Sequence, residues 1–176
     1  MSPYEEDAHR AWESGDLAGA FNCFRLGAND GQPGCMMDLG YFYDEGLGTL
    51  RSKHEAMRWY KRAFLNGDSC AASNMAILFR ERGSHRHMFR WFVAAARRDD
   101  GDALVEASKR YLMGLGTPRS TTMAIAYARK ALRSAHISPA GREEAVGLLA
   151  TLYENAPGCG GRCSANRGRS PKTAIE

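Results

Sequence analysis

The sequence predicts an all-α fold in which about nine short helices stack in pairs as an α-solenoid. Apolar residues recur at helical spacing along nearly the whole chain, and no segment shows the alternation that is typical of a β-strand. Similar residues also return with a period of 32–36 positions, which corresponds to two helices per repeat. A period of this length is typical of helical solenoids, in which each repeat packs only against its neighbours.

Capping signals give the ends of the first four helices. Ser2-Pro3-Tyr4-Glu5 is a capping box with proline at the first helical position, and Gly15 ends that helix. Asp16 caps the second helix. A third helix is expected from about Pro33 to Glu45, and the Ser52–Glu55 capping box begins a fourth, which ends near residue 67.

The remaining five helices are expected in the second half of the chain. Two of them, near 69–82 and 84–98, are separated by a turn at Gly83-Ser84. Two more span about 102–113 and 119–135. Ser138-Pro139 begins a last helix that runs to about Asn155.

These elements form one expected domain over residues 1–156. It comprises a degenerate repeat at 3–34, clear repeats at about 35–69, 70–101 and 102–136, and a C-terminal capping helix at 139–155. Residues 157–176 are rich in glycine, serine and arginine and show no periodicity. We expect them to form a flexible basic tail.

The clearest repetition relates two segments that lie 68 positions apart. The first copy consists of Leu39, Tyr43, Gly46, Gly48, Ala56, Trp59 and Ala63, and the second of Ala107, Tyr111, Gly114, Gly116, Ala124, Tyr127 and Ala131. The paired glycines follow a helix, so we expect them to end it in left-handed backbone conformations. A phosphate-binding loop would require a preceding strand, and neither pair has one.

Residues 38–68 resemble the Sel1-like repeat (SLR) family, a relative of the tetratricopeptide repeat. The family signature is matched at Leu39, Gly40, Tyr43, Gly46, Gly48, Ala56, Trp59, Tyr60, Ala63, Gly67 and Asp68. The second copy departs from it with Ala107 and Ser108 in place of the leucine and the first glycine. The resemblance implies a right-handed superhelix of antiparallel helix pairs that serves as a protein-binding scaffold and needs no cofactor.

The resemblance also implies a partner-binding surface along a concave groove. In the family the positions of Leu39 and Tyr43 point into the core, so their neighbours on the same helix face the groove. The corresponding residues of three repeats are Met37, Tyr41, Asp44, Glu45, Ser73, Ile77, Arg80, Glu81, Val105, Lys109, Leu112 and Met113. An equally weighted alternative is that Met37, Ile77 and Leu112 only complete the packing between repeats, because periodicity does not separate core from groove.

The formal net charge of +4 conceals an uneven distribution of charge along the chain. Residues 1–50 carry a net charge of −7 and residues 51–98 one of +8. Residues 99–156 are balanced, and the last twenty add +3. We therefore expect an acidic end and a basic middle, and a protein partner with a complementary acidic surface.

A basic and aromatic cluster in the middle also raises the possibility of RNA binding. Its members are Arg80, Arg82, Arg86, Arg90, Arg97, Arg98, His85, His87, Phe89, Trp91 and Phe92. However, Trp91 and Phe92 occupy repeat-packing positions, and the acidic first fifty residues would repel phosphate. A nucleic-acid partner is accordingly less favoured than an acidic protein.

Metal and catalytic motifs give little support to an enzyme. His85 and His87 are two positions apart, so on a helix they diverge rather than converge on one ion. The five cysteines are odd in number and irregularly spaced, which favours a reducing compartment over a disulfide framework, and the Cys159/Cys163 pair lacks a second pair of metal ligands. The longest apolar run, Trp91–Ala96, is too short to span a membrane, and with no visible signal peptide a cytoplasmic location is expected.

Three functions follow as hypotheses. The first is a non-enzymatic scaffold whose groove engages a protein, either as an inhibitor or immunity protein that neutralises a bacterial toxin or as a regulatory adaptor. The second is β-lactam binding or hydrolysis, as in cysteine-rich relatives of the family, although their regular cysteine pairs are missing here. The third is RNA binding through the basic middle repeats.

Overall fold

The computed structural model describes residues 3–154, and within that range the chain is helical with short connections. Its nine helices are α1 (Pro3–Glu13), α2 (Leu17–Asn29), α3 (Pro33–Glu45), α4 (Lys53–Leu65), α5 (Cys70–Glu81), α6 (His85–Ala96), α7 (Gly101–Met113), α8 (Thr121–Arg133) and α9 (Pro139–Glu154). The range contains no strand, only an isolated bridge between Asp100 and His136. The predicted all-α class is confirmed, whereas the predicted tail at 157–176 lies outside the described residues.

The helices are arranged as a row of stacked pairs. Each helix packs against the next one along the chain, α1 also contacts α3, and α7 also contacts α9. Because the connections are only a few residues long, successive helices run antiparallel. This sequential packing is the arrangement of a helical-repeat solenoid.

Local hydrogen bonds at the helix starts explain where the elements begin. The Asp16 carboxylate accepts from the Gly19 backbone N–H at 2.8 Å, and the Ser52 hydroxyl accepts from the Glu55 backbone N–H at 3.3 Å. Both predicted caps are therefore confirmed. In the same way the Asp100 carboxylate accepts from the backbone N–H of Ala103 at 2.9 Å and begins α7.

The paired glycines end α3 and α7 as predicted. Gly46 has a φ of 76° and Gly114 one of 71°, and each is the left-handed residue that terminates its helix. The second glycine of each pair allows a close contact with the backbone of a neighbouring helix. A Cβ atom on Gly48 would lie 2.2 Å from the backbone oxygen of Leu17, so only glycine lets this turn pack on the start of α2.

Small residues and aromatics share the core between helices. Fourteen alanines of the described residues have no exposed surface: Ala8, Ala20, Ala28, Ala56, Ala63, Ala71, Ala72, Ala76, Ala95, Ala107, Ala124, Ala128, Ala131 and Ala145. Phe24, Phe42 and Tyr60 fill the space between the first two pairs. Phe64, Phe79 and Trp91 contact both the N-terminal and the C-terminal groups of buried residues, so one hydrophobic core runs along the solenoid.

Candidate functional site

The odd-numbered helices lie side by side and form one face of the solenoid, called here the odd-helix face (exposed residues of α1, α3, α5, α7 and α9). The Trp12 ring of α1 contacts the Tyr41 ring of α3, with centroids 5.9 Å apart. The Asn74 amide of α5 lies 3.9 Å from the Met37 sulfur of α3. Lys109 of α7 reaches Glu144 of α9 at 2.8 Å. All twelve partner-binding residues predicted from sequence lie on odd-numbered helices, and half of them are exposed residues of this face.

The structure places the predicted binding residues at three depths. Six are exposed: Tyr41, Glu45, Ile77, Arg80, Glu81 and Met113. Four are half-buried: Met37, Ser73, Lys109 and Leu112. Asp44 and Val105 are buried, at 9% and 1% exposure. Among the exposed residues, Tyr41, Ile77 and Met113 are apolar side chains on three successive odd-numbered helices, with exposures of 38%, 37% and 57%.

The prediction that Val105 faces the groove is wrong. Its side chain belongs to the hydrophobic core together with Leu104 and Ala107, so it offers no surface to a partner. The reason is that α7 packs against α6, α8 and α9, which buries a wider part of its circumference. Asp44 is also turned inward, where it forms an ion pair with Lys53.

Two lysine-centred clusters connect successive repeats below the exposed side chains. Lys53, at the start of α4, forms ion pairs with Asp44 of α3 and with Glu81 of α5, the latter at 3.0 Å. Partial burial opposes its charge, but hydrogen bonds to the two carboxylates outweigh that effect and raise the pKa of Lys53. The cluster thus holds α3, α4 and α5 in a fixed relation.

Lys109 forms the second cluster at the junction of α7 and α9. It pairs with Glu106 on its own helix and with Glu144 on α9, and Arg110 adds a 2.9 Å contact to Glu106. Burial again lowers the pKa of the Lys109 ammonium, and the two carboxylates more than reverse this, so that its pKa is raised. The odd-helix face therefore combines exposed apolar groups with two ion-pair clusters in which lysine charges are compensated by carboxylates.

The even-numbered helices carry a different charge pattern, and their exposed residues are called here the even-helix face. Odd-numbered helices contain thirteen acidic and five basic side chains, whereas even-numbered helices contain ten basic side chains and a single acidic one, Glu55. Eight exposed cations of these helices form no ion pair with any acidic residue in 3–154: Arg25, Lys61, Arg62, Arg86, Arg90, Arg129, Lys130 and Arg133. The blocks seen along the sequence are thus also separated into two layers.

The aromatic residues of the basic cluster are packed inward. Phe92 is 5% exposed, and the Trp91 ring meets the Phe64 ring edge to face at 5.5 Å. His87 lies over the Phe79 ring at 5.0 Å, and its Nδ1 is 2.8 Å from the Ser84 hydroxyl. The expectation that Trp91 and Phe92 fill packing positions is confirmed, and these rings are not free to stack on bases.

Three side chains of kinds that commonly bind metal ions lie close together on α1 and α3. One ligand atom from each of Glu5, His9 and Asp38 lies within 4.8 Å of the others. Burial raises the pKa of Asp38 to about 6, the His9 ring opposes this rise, and the carboxylates of Glu5 and Asp68 add to it. The spacing of Glu5 and His9, four positions apart on α1, was a signal in the sequence, but nothing local pointed to Asp38.

A polar cleft between the starts of α5, α7 and α9 was not foreseen from the sequence. It encloses about 300 Å³ and is lined by Ser69, Cys70, Arg98, Asp100, Asp102 and His136. Its polar groups largely serve the helix ends. Asp102 accepts from the Ser138 hydroxyl at 2.8 Å, and Arg98 donates to the backbone oxygen of Phe64 at 2.5 Å. Burial, followed by the charges of Asp68 and Asp100, raises the pKa of the Cys70 thiol, which is the opposite of what a nucleophilic cysteine needs.

Comparison with protein-family models decides the family. The model of the Sel1 repeat matches residues 33–68 and 101–136, which correspond to α3–α4 and α7–α8 with their turns. The chain therefore contains two Sel1 repeats. Sel1 repeats commonly mediate protein–protein interactions. None of the helices within residues 3–154 is both long and apolar enough to cross a membrane.

Solved structures show the same fold. A Sel1 repeat protein from Oxalobacter formigenes is similar with a TM-score of 0.71 and 22% identity, over 85% of this chain and 62% of that one. The chain therefore spans less than two thirds of the length of that protein. The MamA protein is similar with a TM-score of 0.52 and 18% identity, over 86% of this chain and 88% of that one. No curated protein matches the sequence.

Proposed function

We propose that this Sel1-like repeat protein is a non-enzymatic scaffold that binds a protein partner through its odd-helix face. The observation that carries the proposal is the exposure of Tyr41, Ile77 and Met113 on three successive helices of that face. Apolar side chains in such a position lose water when a partner covers them, and aromatic and methionine side chains are enriched in protein interfaces.

The framework under these side chains favours a preformed binding surface. Ion pairs centred on Lys53 and Lys109 join successive repeats, and the hydrophobic core continues from one end of the solenoid to the other. A surface that is already ordered loses less conformational freedom on binding, which increases the affinity available from a given contact area.

Within this function we favour an inhibitor or immunity protein that neutralises a toxin, with a regulatory adaptor as the alternative. The support is the helical-repeat array itself, whose repeats form an extended surface on which a protein partner can be bound. Co-expression with a toxin encoded beside its gene tests the immunity role. Protection of the cells supports it, whereas binding without protection would favour an adaptor.

A pull-down from the native host tests the scaffold function itself. The bait is the full chain, and the informative variant combines Tyr41→Ala, Ile77→Ala and Met113→Ala. The matched control combines Leu26→Ala and Leu65→Ala, because these leucines are 53% and 67% exposed on the even-helix face. The proposal requires a partner that is retained by the wild-type and control proteins and lost by the triple variant.

Nucleic-acid binding is a second candidate because of the even-helix face. Its eight cations without ion pairs include Arg86 and Arg90 on α6, a helix without any acidic residue. The acidic groups that would repel phosphate lie mainly on the other layer, which weakens the objection drawn from the sequence. Binding of duplex RNA that falls steeply with salt and is reduced by Arg86→Gln with Arg90→Gln would support this candidate.

The β-lactam hypothesis rests on relatives with regular cysteine pairs. In the described part of this chain no disulfide involves Cys23, Cys35 or Cys70, and Cys35 is buried. A nitrocefin hydrolysis assay decides the matter. Turnover above the buffer background would revive an enzymatic function, and its loss in a Cys70→Ser variant would identify the exposed thiol as part of it.

A further inference from the structure

The contact between α1 and α3 brings together a carboxylate, an imidazole and a second carboxylate. Glu5 and His9 are four positions apart on α1, so both side chains lie on the same face of that helix. Asp38 comes from α3, which packs beside it. The His9 Nε2 atom lies 3.4 Å from the Asp38 Oδ2 atom, and one ligand atom of each of the three residues lies within 4.8 Å of the others.

The distance between His9 and Asp38 fits the coordination shell of a divalent metal ion better than a strong hydrogen bond. Zinc binds nitrogen and oxygen ligands at about 2.0–2.2 Å, so two ligands in tetrahedral geometry are about 3.4 Å apart. A charge-assisted hydrogen bond between imidazole and carboxylate would bring the two atoms to about 2.7–2.9 Å. The separation of His9 and Asp38 matches the first case.

The surroundings hold the three side chains in place for such an ion. The His9 ring packs edge to face on Phe24 at 5.3 Å and stacks on Trp12 at 6.0 Å, which fixes its orientation. The Glu5 carboxylate lies against the first turn of α3, where a Cβ on Gly34 would come within 2.6 Å of its Oε1 atom. The ligands are therefore positioned by packing on two different helices.

The charge of the group also calls for a cation. Asp38 is 8% exposed, and within residues 3–154 its only ion-pair partner is His9. The second carboxylate, Glu5, adds to the negative charge around it. A buried carboxylate is costly unless a cation or hydrogen bonds compensate its charge, and a divalent ion bound to Asp38 would supply that compensation.

We propose that Glu5, His9 and Asp38 form a zinc-binding site that clamps α1 onto α3. One nitrogen and two oxygen ligands suit zinc, which commonly takes three protein ligands and a water molecule at sites that are open to solvent. The His9 side chain is 35% exposed, so an ion can enter from the surface. The clamp would fasten the N-terminal helix pair to the first matched Sel1 repeat, whose α3 carries Tyr41 of the odd-helix face.

Titration of the untagged, EDTA-treated full chain with zinc tests this site. Calorimetry should show one ion per chain at this site, and a hundredfold excess of zinc over Kd should raise Tm by roughly 5–10 °C. Cobalt in place of zinc should give visible d–d bands without the near-ultraviolet thiolate band. His9→Gln and Asp38→Asn should each weaken binding by more than about tenfold.

Control variants distinguish zinc binding at this site from zinc binding by other residues of the chain. Glu144→Gln changes an exposed carboxylate at the α7–α9 junction, and Cys159→Ser with Cys163→Ser removes the remaining cysteine pair. Neither should alter the affinity. Glu5→Gln, at a half-buried position, serves if the Asp38 variant does not fold. No zinc binding, or unchanged zinc binding by both the His9 and Glu5 variants, would overturn the proposal.

Discussion

Gly48 packs directly on the backbone of Leu17, so closely that a Cβ on the glycine would lie 2.2 Å from the leucine oxygen. The same relation recurs 68 residues later, where a Cβ on Gly116 would lie 2.1 Å from the backbone oxygen of His85. In both cases the turn after an odd-numbered helix rests on the first residue of the preceding even-numbered helix. The second glycine of each pair is thus a contact between repeats rather than a simple helix stop.

Replacing this second glycine by alanine should therefore destabilise the protein by more than the cost of the left-handed backbone conformation alone. Gly48→Ala and Gly116→Ala should each lower the free energy of unfolding by about 2–4 kcal/mol, since a left-handed conformation and a backbone clash add up. Gly15→Ala is the control, because Gly15 has a φ of 85° and no atom within 4 Å of its Cβ position. Urea unfolding should show that Gly15→Ala lowers the free energy of unfolding by only about 1–2 kcal/mol. Equal losses at the three positions would contradict the contact.

The second repeat departs from the family signature at one glycine position, and a second residue change compensates for this departure. Gly40 lies against the Tyr60 ring, where a Cβ would come within 2.7 Å. The residues 68 positions later are Ser108 and Ala128, both fully buried. The larger residue thus replaces glycine where the facing aromatic has become small, and the Ser108 hydroxyl donates to the backbone oxygen of Ala124 at 2.7 Å.

This exchange predicts strong coupling between Gly40 and Tyr60. Gly40→Ser should clash with the ring, and Tyr60→Ala should leave a cavity and cost about 3–5 kcal/mol. The double variant should lose less than the two single variants together, with a coupling of about 1–3 kcal/mol in a double-mutant cycle. Additive losses would show that the two positions do not compensate each other.

The Lys53 cluster predicts a second coupling. Lys53→Met leaves the Asp44 carboxylate buried without its cation and should lower the free energy of unfolding by about 2–4 kcal/mol. Adding Asp44→Asn should recover part of this loss, because the unpaired charge is then removed. Lys61→Met is the control, since Lys61 is exposed and forms no ion pair in the described chain. A Lys53 variant as stable as the Lys61 variant would show that the bridge contributes nothing.

Much of the fold could be predicted because its signals are local. Asp16 and Ser52 act through backbone groups three residues away, and Gly46 ends α3 by its own conformation. Burial of Val105 could not be foreseen, because it depends on α9 returning to cover α7. Recruitment of Asp38 to the neighbourhood of His9 depends likewise on the stacking of two repeats.

The distribution of charge between the two layers of helices could likewise not be predicted from the order of residues alone. The sequence order indicates an acidic end and a basic middle, but it does not show that the acidic groups lie on one layer of helices and most basic groups on the other. That separation follows from the alternation of the two helices within each repeat. It leaves the odd-helix face with most of the acidic groups and with exposed apolar side chains on successive helices, and these apolar side chains are why we assign the partner to that face.

The affinity of the purified partner for three forms of the full chain tests the central claim most directly. The forms are the wild type, the triple variant Tyr41→Ala, Ile77→Ala and Met113→Ala, and the control with Leu26→Ala and Leu65→Ala. Calorimetry should show that the triple variant raises Kd by about a hundredfold or more, while the control stays within about threefold of the wild type. An unchanged Kd for the triple variant, with its fold intact by circular dichroism, would contradict binding through the odd-helix face.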